Sequence, residues 1–272
     1  FNVDDWEGFR DPAKLTYSDY VSTQHDRETY LDLLIDHHEA AGSIAKLDKA
    51  WVDTLTALLV PLRFPLHVLQ MTGLYVAQMA PSAFIINCSN FQAADEMRRI
   101  QRLAYLTRLL ANEHGDTIAA TDTAREPWQS GEAWQPLREV SERMLGVYDW
   151  GEAFVLLDLL LKPALDSVVN DSLASLAVAN GDEFLALMLS EFQRESTRSQ
   201  AWTSALLSYA VEQDPALADV VRGWVATWTP LVDEAVAGLS ELFATAPVAG
   251  DPNAVREAAA KARESLLAAS GL

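Results

Sequence analysis

Apolar residues recur at i, i+3, i+4 and i+7 through most of this 272-residue chain, whereas the period-two alternation of a half-buried strand is hard to find anywhere. Glycine and proline are sparse, so few points break the helical pattern. The pattern predicts a nearly all-α protein. Half of the residues are apolar, enough to bury a sizeable core without a disulfide or a structural metal.

The segment on which the rest is organised runs from Ala83 to His114, with Asp95-Glu96-Met97-Arg98-Arg99 at its centre. Read as a helix, it carries the frame of Glu-x-x-His, whose i, i+3 spacing brings two metal ligands together on one face. Arg99 stands where the histidine belongs, and arginine does not bind metal.

Around that segment the chain divides into an arm, 1–25, a helical domain, 26–246, and a C-terminal linker and helix, 247–272. The arm is aromatic and turn-rich, with Trp6, Phe9, Tyr17 and Tyr20 around Arg10-Asp11-Pro12. Its rings need burial, either on this chain's own core or on a partner subunit. Helices are predicted over Asp26–Ala41 and Ser43–Val60, the second with a capping-type serine, and a third runs to about Ala80 after Pro61 and Pro65. No acidic residue interrupts the stretch between Asp53 and Asp95. The apolar segment from Phe64 to Ile86 resembles a membrane span but reads better as the central helix of a bundle.

A loop rich in Thr, Asp, Pro and Trp, 115–136, is predicted to join two halves. The second half repeats the first: a helix from Leu137 to Val147, an apolar run from Ala153 to Leu161 leading through Lys162-Pro163 to Ala179, and a long helix from Glu183 to Glu212. Shifted by one hundred positions, Glu195-Ser196-x-Arg198-Ser199 falls on Asp95-Glu96-x-Arg98-Arg99. Pro215 and Pro230 are predicted to bracket a tryptophan-bearing helix, followed by another to Ala244, a linker over Ala246–Asn253 and a last helix from Ala254 to Ala268.

Two helical pairs, each with the same frame in its second member, point to a ferritin-like (ribonucleotide-reductase-like) helical bundle with additional helices and an extended N-terminal arm. A di-iron bundle of that kind takes one glutamate from each of two helices and Glu-x-x-His from the other two. No Glu-x-x-His occurs in this sequence, and the helix that should bring the first glutamate lies in the acid-free stretch. Glu96, Arg99, Ser196 and Ser199 therefore read as vestigial ligand positions, with neither a metal site nor a catalytic residue expected in this chain. Buried in a bundle, Glu96 needs a cation, and Arg99 one turn away would replace the metal's charge. Asp95 would pair with Arg98, Arg99 or Arg102. The alternative places all of these on a polar surface as ordinary ion pairs.

A formal charge of −19 argues against nucleic acid and against an anionic membrane surface, since both call for a basic footprint. The single cysteine, Cys88, excludes an internal disulfide and fits a reducing cytoplasm. The chain begins Phe1-Asn2-Val3, which reads as a processed or trimmed start, with no export leader expected.

Several motifs together resemble the β subunit of the hydroxylase of soluble di-iron bacterial multicomponent monooxygenases, the family acting on methane, toluene, phenol, alkenes and propane. They are Trp6-x-x-Phe9-Arg10-Asp11-Pro12 with Leu15-Thr16-Tyr17, Phe91-Gln92-Ala93-Ala94-Asp95-Glu96-Met97-Arg98, Asp149-Trp150-x-Glu152-x-Phe154, Lys162-Pro163-x-x-Asp166 and Gly181-Asp182. The resemblance implies a non-catalytic subunit beside an α subunit that carries the di-iron centre. It also implies a coupling protein and a reductase bearing FAD and a 2Fe-2S cluster. The arm, through Trp6, Phe9, Arg10, Tyr17 and Tyr20, would lie across α. The alanine-rich, acidic composition and the resemblance lean toward a short-chain alkene or alkane as substrate, with an aromatic substrate as the alternative.

Two other classes compete with this one. A self-standing helical binding or scaffold protein would use the bundle or the acidic surface. An independent enzyme is disfavoured, because no glycine-rich phosphate loop, no Gly-x-Ser-x-Gly elbow and no cysteine nucleophile with a paired base occurs. Glu28, His37, His38 and Glu39 offer an acid–base set only nominally, since adjacent helical residues point apart.

Overall fold

Val3, Trp6 and Phe9 are buried while the residues between them are exposed, so the first part of the chain lies on the protein with every third residue turned inward. A computed structural model describes all residues from Phe1 to Leu272, as helices and connections with no strand. The Trp6 ring sits 5.5 Å from Phe1 and 5.3 Å from Trp150, and Phe9 meets Tyr209 edge-on at 6.2 Å. The arm packs on its own chain.

Helix α1 (Tyr17–Ala40) begins well before the position expected from periodicity, so Tyr17 and Tyr20 are helical and the irregular segment ends at Thr16. The cause is local. Thr16 accepts from the Asp19 N–H while Asp19 accepts from the Thr16 N–H, a reciprocal capping box that fixes the helix start. Only Tyr20, Leu31 and Ile35 of α1 are buried, so no apolar stripe announced the turns before Asp26.

Helix α2 (Lys49–Leu59) is capped by Asp48, which accepts from Ala50 N at 2.8 Å, and not by Ser43, which precedes a separate 3-10 turn. It runs through the turn Val60–Leu62 into α3 (Arg63–Met79). The combined run Lys49–Met79 is long and apolar enough to cross a membrane by length and composition, but 67% of its most apolar window is buried inside the protein, as in a core helix. Ser82 caps α4 (Ala83–His114), which pairs with α3.

The connection 115–136 is not a loop. It contains a 3-10 turn (Asp116–Ala119), helix α5 (Thr121–Ser130) and a second turn (Glu132–Trp134), and leads into α6 (Gln135–Met144). Pro127 lies inside α5 at the loss of one backbone bond. Aromatic burial overrides that loss: Trp128 stacks on Phe64 at 5.6 Å and meets Trp134 edge-on at 6.4 Å.

Helix α7 spans 150–179 and changes its winding along the way. α-Helical Trp150–Phe154 gives way to π-helical Val155–Leu161, then α-helical Lys162–Asp166, π-helical Ser167–Ser172 and α-helical Leu173–Ala179. Every residue from 153 to 170 is buried, which makes α7 the central helix. Helix α8 (Glu183–Gln213) packs back on it. Helix α9 (Leu217–Glu241) passes straight through Pro230, so the two helices expected there are one, and α10 (Pro252–Ala269) starts at Asp251 with Pro252 in its first turn.

Helices α2 to α4 and α7 to α8 form the two long hairpins of a four-helix bundle. Helix α1 lies against α8, α6 and α9 against each other, and α10 against α7 and α9. One continuous core of 69 buried apolar residues runs through both hairpins, so the two halves share a single interior.

Asp182 joins the hairpins at one end. It caps α8 by accepting from Leu185 N at 3.0 Å, and its other oxygen accepts from Trp51 Nε1 of α2 at 3.0 Å. Replacing Asp182 with Ala orphans a buried indole N–H and a helix end together, so urea melts should show a loss of about 2–4 kcal/mol. Asn at the same position should lose less than half of that.

Candidate functional site

Glu96 and Arg99 on α4, and Ser196 on α8, turn into the middle of the bundle and are buried. The central helix meets them with Lys162, Asp166 and Asn170, spaced i, i+4, i+8. Lys162 Nζ donates to Glu96 Oε1 at 2.6 Å and to Asp166 Oδ2 at 2.8 Å. Arg99 donates to Asp166 Oδ1 at 2.7 Å through Nη1 and to Asn170 Oδ1 at 2.9 Å through Nη2. Ser196 Oγ donates to Asp166 Oδ2 at 2.6 Å, and Asn170 Nδ2 donates to Ser196 Oγ at 3.2 Å. Ser199 stays outside this network and bonds the Ser196 carbonyl at 2.9 Å.

The pairing differs from the expectation in its partners. Arg99 stands 3.7 Å from Glu96 Oε2, too far for a hydrogen bond, and its close carboxylate is Asp166. Glu96 is held by Lys162. Burial of these groups rules out the surface ion-pair alternative: Glu96 is 2% exposed and Asp166 1%. Two carboxylates and two cations make the cluster electrically neutral, which is what allows four charges to be taken out of water. Burial opposes the charge on Lys162, but the Asp166 and Glu96 carboxylates outweigh it and hold the ammonium pKa above its usual value. Burial likewise works against the Asp166 carboxylate, and Lys162 and Arg99 override it and hold its pKa below the usual range.

One turn before this cluster, Asp158 accepts a short hydrogen bond from Gln92 Nε2, and Gln92 Oε1 accepts from Trp202 Nε1 at 3.0 Å. Asp158 Oδ2 has no partner. Burial pushes the Asp158 carboxyl up to about 7, against the opposing pull of the Gln92 bond and of Lys162.

A second layer of charge lies between these helices and α1. Asp95 pairs with Arg198, and Glu195 pairs with Arg98. These are the repeated residues of the two halves, and each acid takes the other half's arginine; for Asp95 this replaces the expected Arg98, Arg99 or Arg102 of its own helix. Helix α1 covers the pairs: Tyr20 Oη and Gln24 Nε2 donate to Asp95 Oδ1 at 2.8 and 2.9 Å, and Arg27 donates to Glu195 at 3.2 Å. Glu28 accepts from Arg98 at 2.7 Å and also pairs with Arg102, which reaches Asp32 at 2.7 Å. Burial, with Asp95 nearby, raises the Glu195 carboxyl to about 7 in spite of Arg98 and Arg27.

The remaining candidates do not converge. Glu28 is committed to arginines, His38 Nδ1 bonds Ser43 Oγ at 3.1 Å, and the His37 and His38 rings stand at 86° to one another. Trp6, Phe9 and Tyr20 are buried in their own chain and offer no free surface to a partner. Arg10 remains exposed with its guanidinium 4.0 Å over the Phe84 ring, and Tyr17 is 76% exposed.

The donor set does not suit a di-iron centre. No three His, Cys, Asp or Glu side chains come together as metal ligands. Lys162 and Arg99, both cations, occupy the space between the two carboxylates. Sequence reasoning missed Asp158, Lys162, Asp166 and Asn170 as site residues. The available signal was a polar residue every fourth position through an otherwise apolar run.

Comparison with known proteins adds an independent line. A family model described as methane/phenol/alkene hydroxylase matches residues 1–214. The chain is similar to the hydroxylase component subunit beta of the toluene-4-monooxygenase system of Ectopseudomonas mendocina, 35% identical over 232 residues, covering 85% of this chain and 70% of that protein. It is 27% identical over 241 residues to the oxygenase component of a phenol 2-monooxygenase from Pseudomonas sp. (strain CF600), covering 87% and 71%. A solved structure of toluene 4-monooxygenase with toluene in its resting active site superposes with a TM-score of 0.86 at 34% identity, covering 89% of this chain and 79% of that one. The ferritin-like fold expected from the sequence agrees with that neighbour.

Two measurements probe the charge layers. An unfolded aspartate titrates near 3.9, so between about pH 4 and pH 7 the folded protein keeps an Asp158 proton that the unfolded chain has released. The stability this contributes is full below pH 4, declines as pH rises to 7 and is flat above. Relative to Asp158→Asn, urea melts should show wild-type stability falling by ~4 kcal/mol across that window. In the outer layer, Arg198→Met leaves Asp95 buried without its cation and should cost about 3 kcal/mol, whereas Asp95→Asn with Arg198→Met should cost at least ~1 kcal/mol less than the single change.

Proposed function

The chain belongs to the methane/phenol/alkene hydroxylase family, and from that premise we propose that it is the non-catalytic β subunit of a hydroxylase that oxidises an aromatic hydrocarbon. That it is a hydroxylase subunit of a multicomponent monooxygenase follows from the family and the relatives. The aromatic substrate is carried by one observation, the 35% identity to a toluene-4-monooxygenase β subunit over 85% of this chain. It replaces the short-chain alkene or alkane reading, which rested on the alanine-rich, acidic composition and on a resemblance to a family that includes both substrate classes.

The non-catalytic role is supported by the chemistry of the buried cluster. Its carboxylates are each held by a cation, and neither is free to accept a proton from a substrate or to ligate iron. The work of this chain is then mechanical: it holds a bundle of fixed shape beside an α subunit that carries the di-iron centre. Electrons would reach α from a reductase bearing FAD and a 2Fe-2S cluster, and a coupling protein would regulate the encounter. Tyr17 and Arg10, the arm residues that stay exposed, are available for contact with α. A cytoplasmic setting is supported by Cys88, a buried free thiol in a chain with no disulfide.

Co-expression with the α subunit, reductase and coupling protein from the same source tests the reading. Toluene or phenol should be oxidised faster than propene or propane, and iron should partition entirely to α when the subunits are separated. Faster propene epoxidation would overturn the substrate class, and stoichiometric iron on this chain would overturn the non-catalytic role.

A further inference from the structure

The place a di-iron centre would take is not simply short of ligands, because a cation stands in it. Lys162 projects from α7 between its two π-helical segments, 2.6 Å from Glu96 Oε1 and 2.8 Å from Asp166 Oδ2. The two carboxylates come from different helices and converge on one point, as the ligands of a metal ion in a bundle do. Two further features belong to that geometry. Glu96 Oε2 is buried with no hydrogen-bond partner, on a residue 2% exposed. Ser196 Oγ, from α8, lies 2.6 Å from the same Asp166 oxygen that Lys162 binds.

We propose that Lys162 is a tethered cation in a cation site. Its ammonium holds the position of a metal ion between Glu96 and Asp166, and removing the ammonium while keeping the carboxylates opens a site for a small divalent cation. The donors left are oxygens: both of Glu96, Oδ2 of Asp166 and Oγ of Ser196, with Asp166 Oδ1 still held by Arg99 at 2.7 Å. Such a set suits a hard or borderline ion such as Mn2+ or Co2+. In the native chain the charges of Glu96, Asp166, Lys162 and Arg99 sum to zero. Lys162→Met keeps an unbranched apolar stem one atom shorter, removes the ammonium and leaves one negative charge unbalanced in a dry interior, which is the condition that draws in a cation. The tether has a consequence for the native protein: the site is closed to metal at any metal concentration, because the occupant cannot leave. This concerns the chain's own interior and holds whichever hydrocarbon the assembly oxidises.

The test uses the full chain and Co2+, whose visible absorption reports its coordination. Wild type should show no saturable Co2+ spectrum and no change in Tm. Lys162→Met should melt roughly 10 °C lower, and Co2+ should raise its Tm by several degrees with a saturable spectrum. Adding Glu96→Gln to Lys162→Met balances the charge again, so the double variant should recover much of the lost Tm and lose the Co2+ response. The proposal is overturned if Lys162→Met melts within about 2 °C of wild type, or if Co2+ affects it no more than wild type. Should Lys162→Met fail to fold, the double variant decides: folding with little loss of Tm supports the tethered cation, and failure to fold overturns it.

Discussion

A lysine buried on a central helix is the most demanding group in this protein, and its satisfaction sets the positions of three helices. Lys162 lies within a stretch, 153–170, in which every residue is buried. Its ammonium can be there only because Glu96 of α4 and Asp166 of α7 both contact it. Asp166 in turn needs Arg99, and Arg99 needs Asn170, which reaches Ser196 on α8. Each partner is buried, so removal of any one leaves another without compensation. The network is closed apart from a few atoms, among them Glu96 Oε2 and Asp158 Oδ2.

The outer layer answers a different requirement. Asp95 with Arg198 and Glu195 with Arg98 exchange charges between equivalent points of the two halves, so the repeat in the sequence is a repeat of binding partners in space. A helix with few apolar residues, α1, can then be held by polar contacts. Tyr20, Gln24, Arg27, Glu28 and Asp32 all bond into this layer. The contacts to Asp95 and Glu195 are shielded by the helix that makes them and are worth more than exposed ion pairs of the same type, whereas Asp32 meets Arg102 at the surface.

This division explains what the sequence could and could not reveal. Long helices such as Ala83–His114 were legible because an apolar stripe is written at fixed spacing. Helix α1 was legible only from Asp26 onward, because its inward face is largely polar and its start depends on the Thr16–Asp19 capping box. Helix α5 was hidden by a composition that favours turns, overridden by the burial of Trp128 and Trp134. At the site, Glu96 and Arg99 were visible as a pair by helical spacing, but spacing within one helix says nothing of a cation approaching from another. The Lys162-Pro163-x-x-Asp166 motif was in view as a sequence signature, and only the folded geometry places it against Glu96.

Why charges persist here at all follows from the register they impose. A buried ion network is no more stabilising than a well-packed apolar one, so its value must lie in what it excludes. Along α4 and α7, running in the same direction, Gln92 faces Asp158, Glu96 faces Lys162 and Arg99 faces Asp166. Sliding α7 one turn in one direction sets Asp158 against Glu96 and Lys162 against Arg99. Sliding it the other way sets Asp166 against Glu96. Both slips bury like charges face to face, whereas the leucines at 156, 157, 159, 160, 161 and 165 could repack after either one. The alternation of α and π winding serves the same end, because a four-residue step overshoots a full turn of α-helix and falls short of the wider π turn, keeping Asp158, Lys162, Asp166 and Asn170 in line. A helix that is apolar on every side has no other means of choosing its height in the bundle.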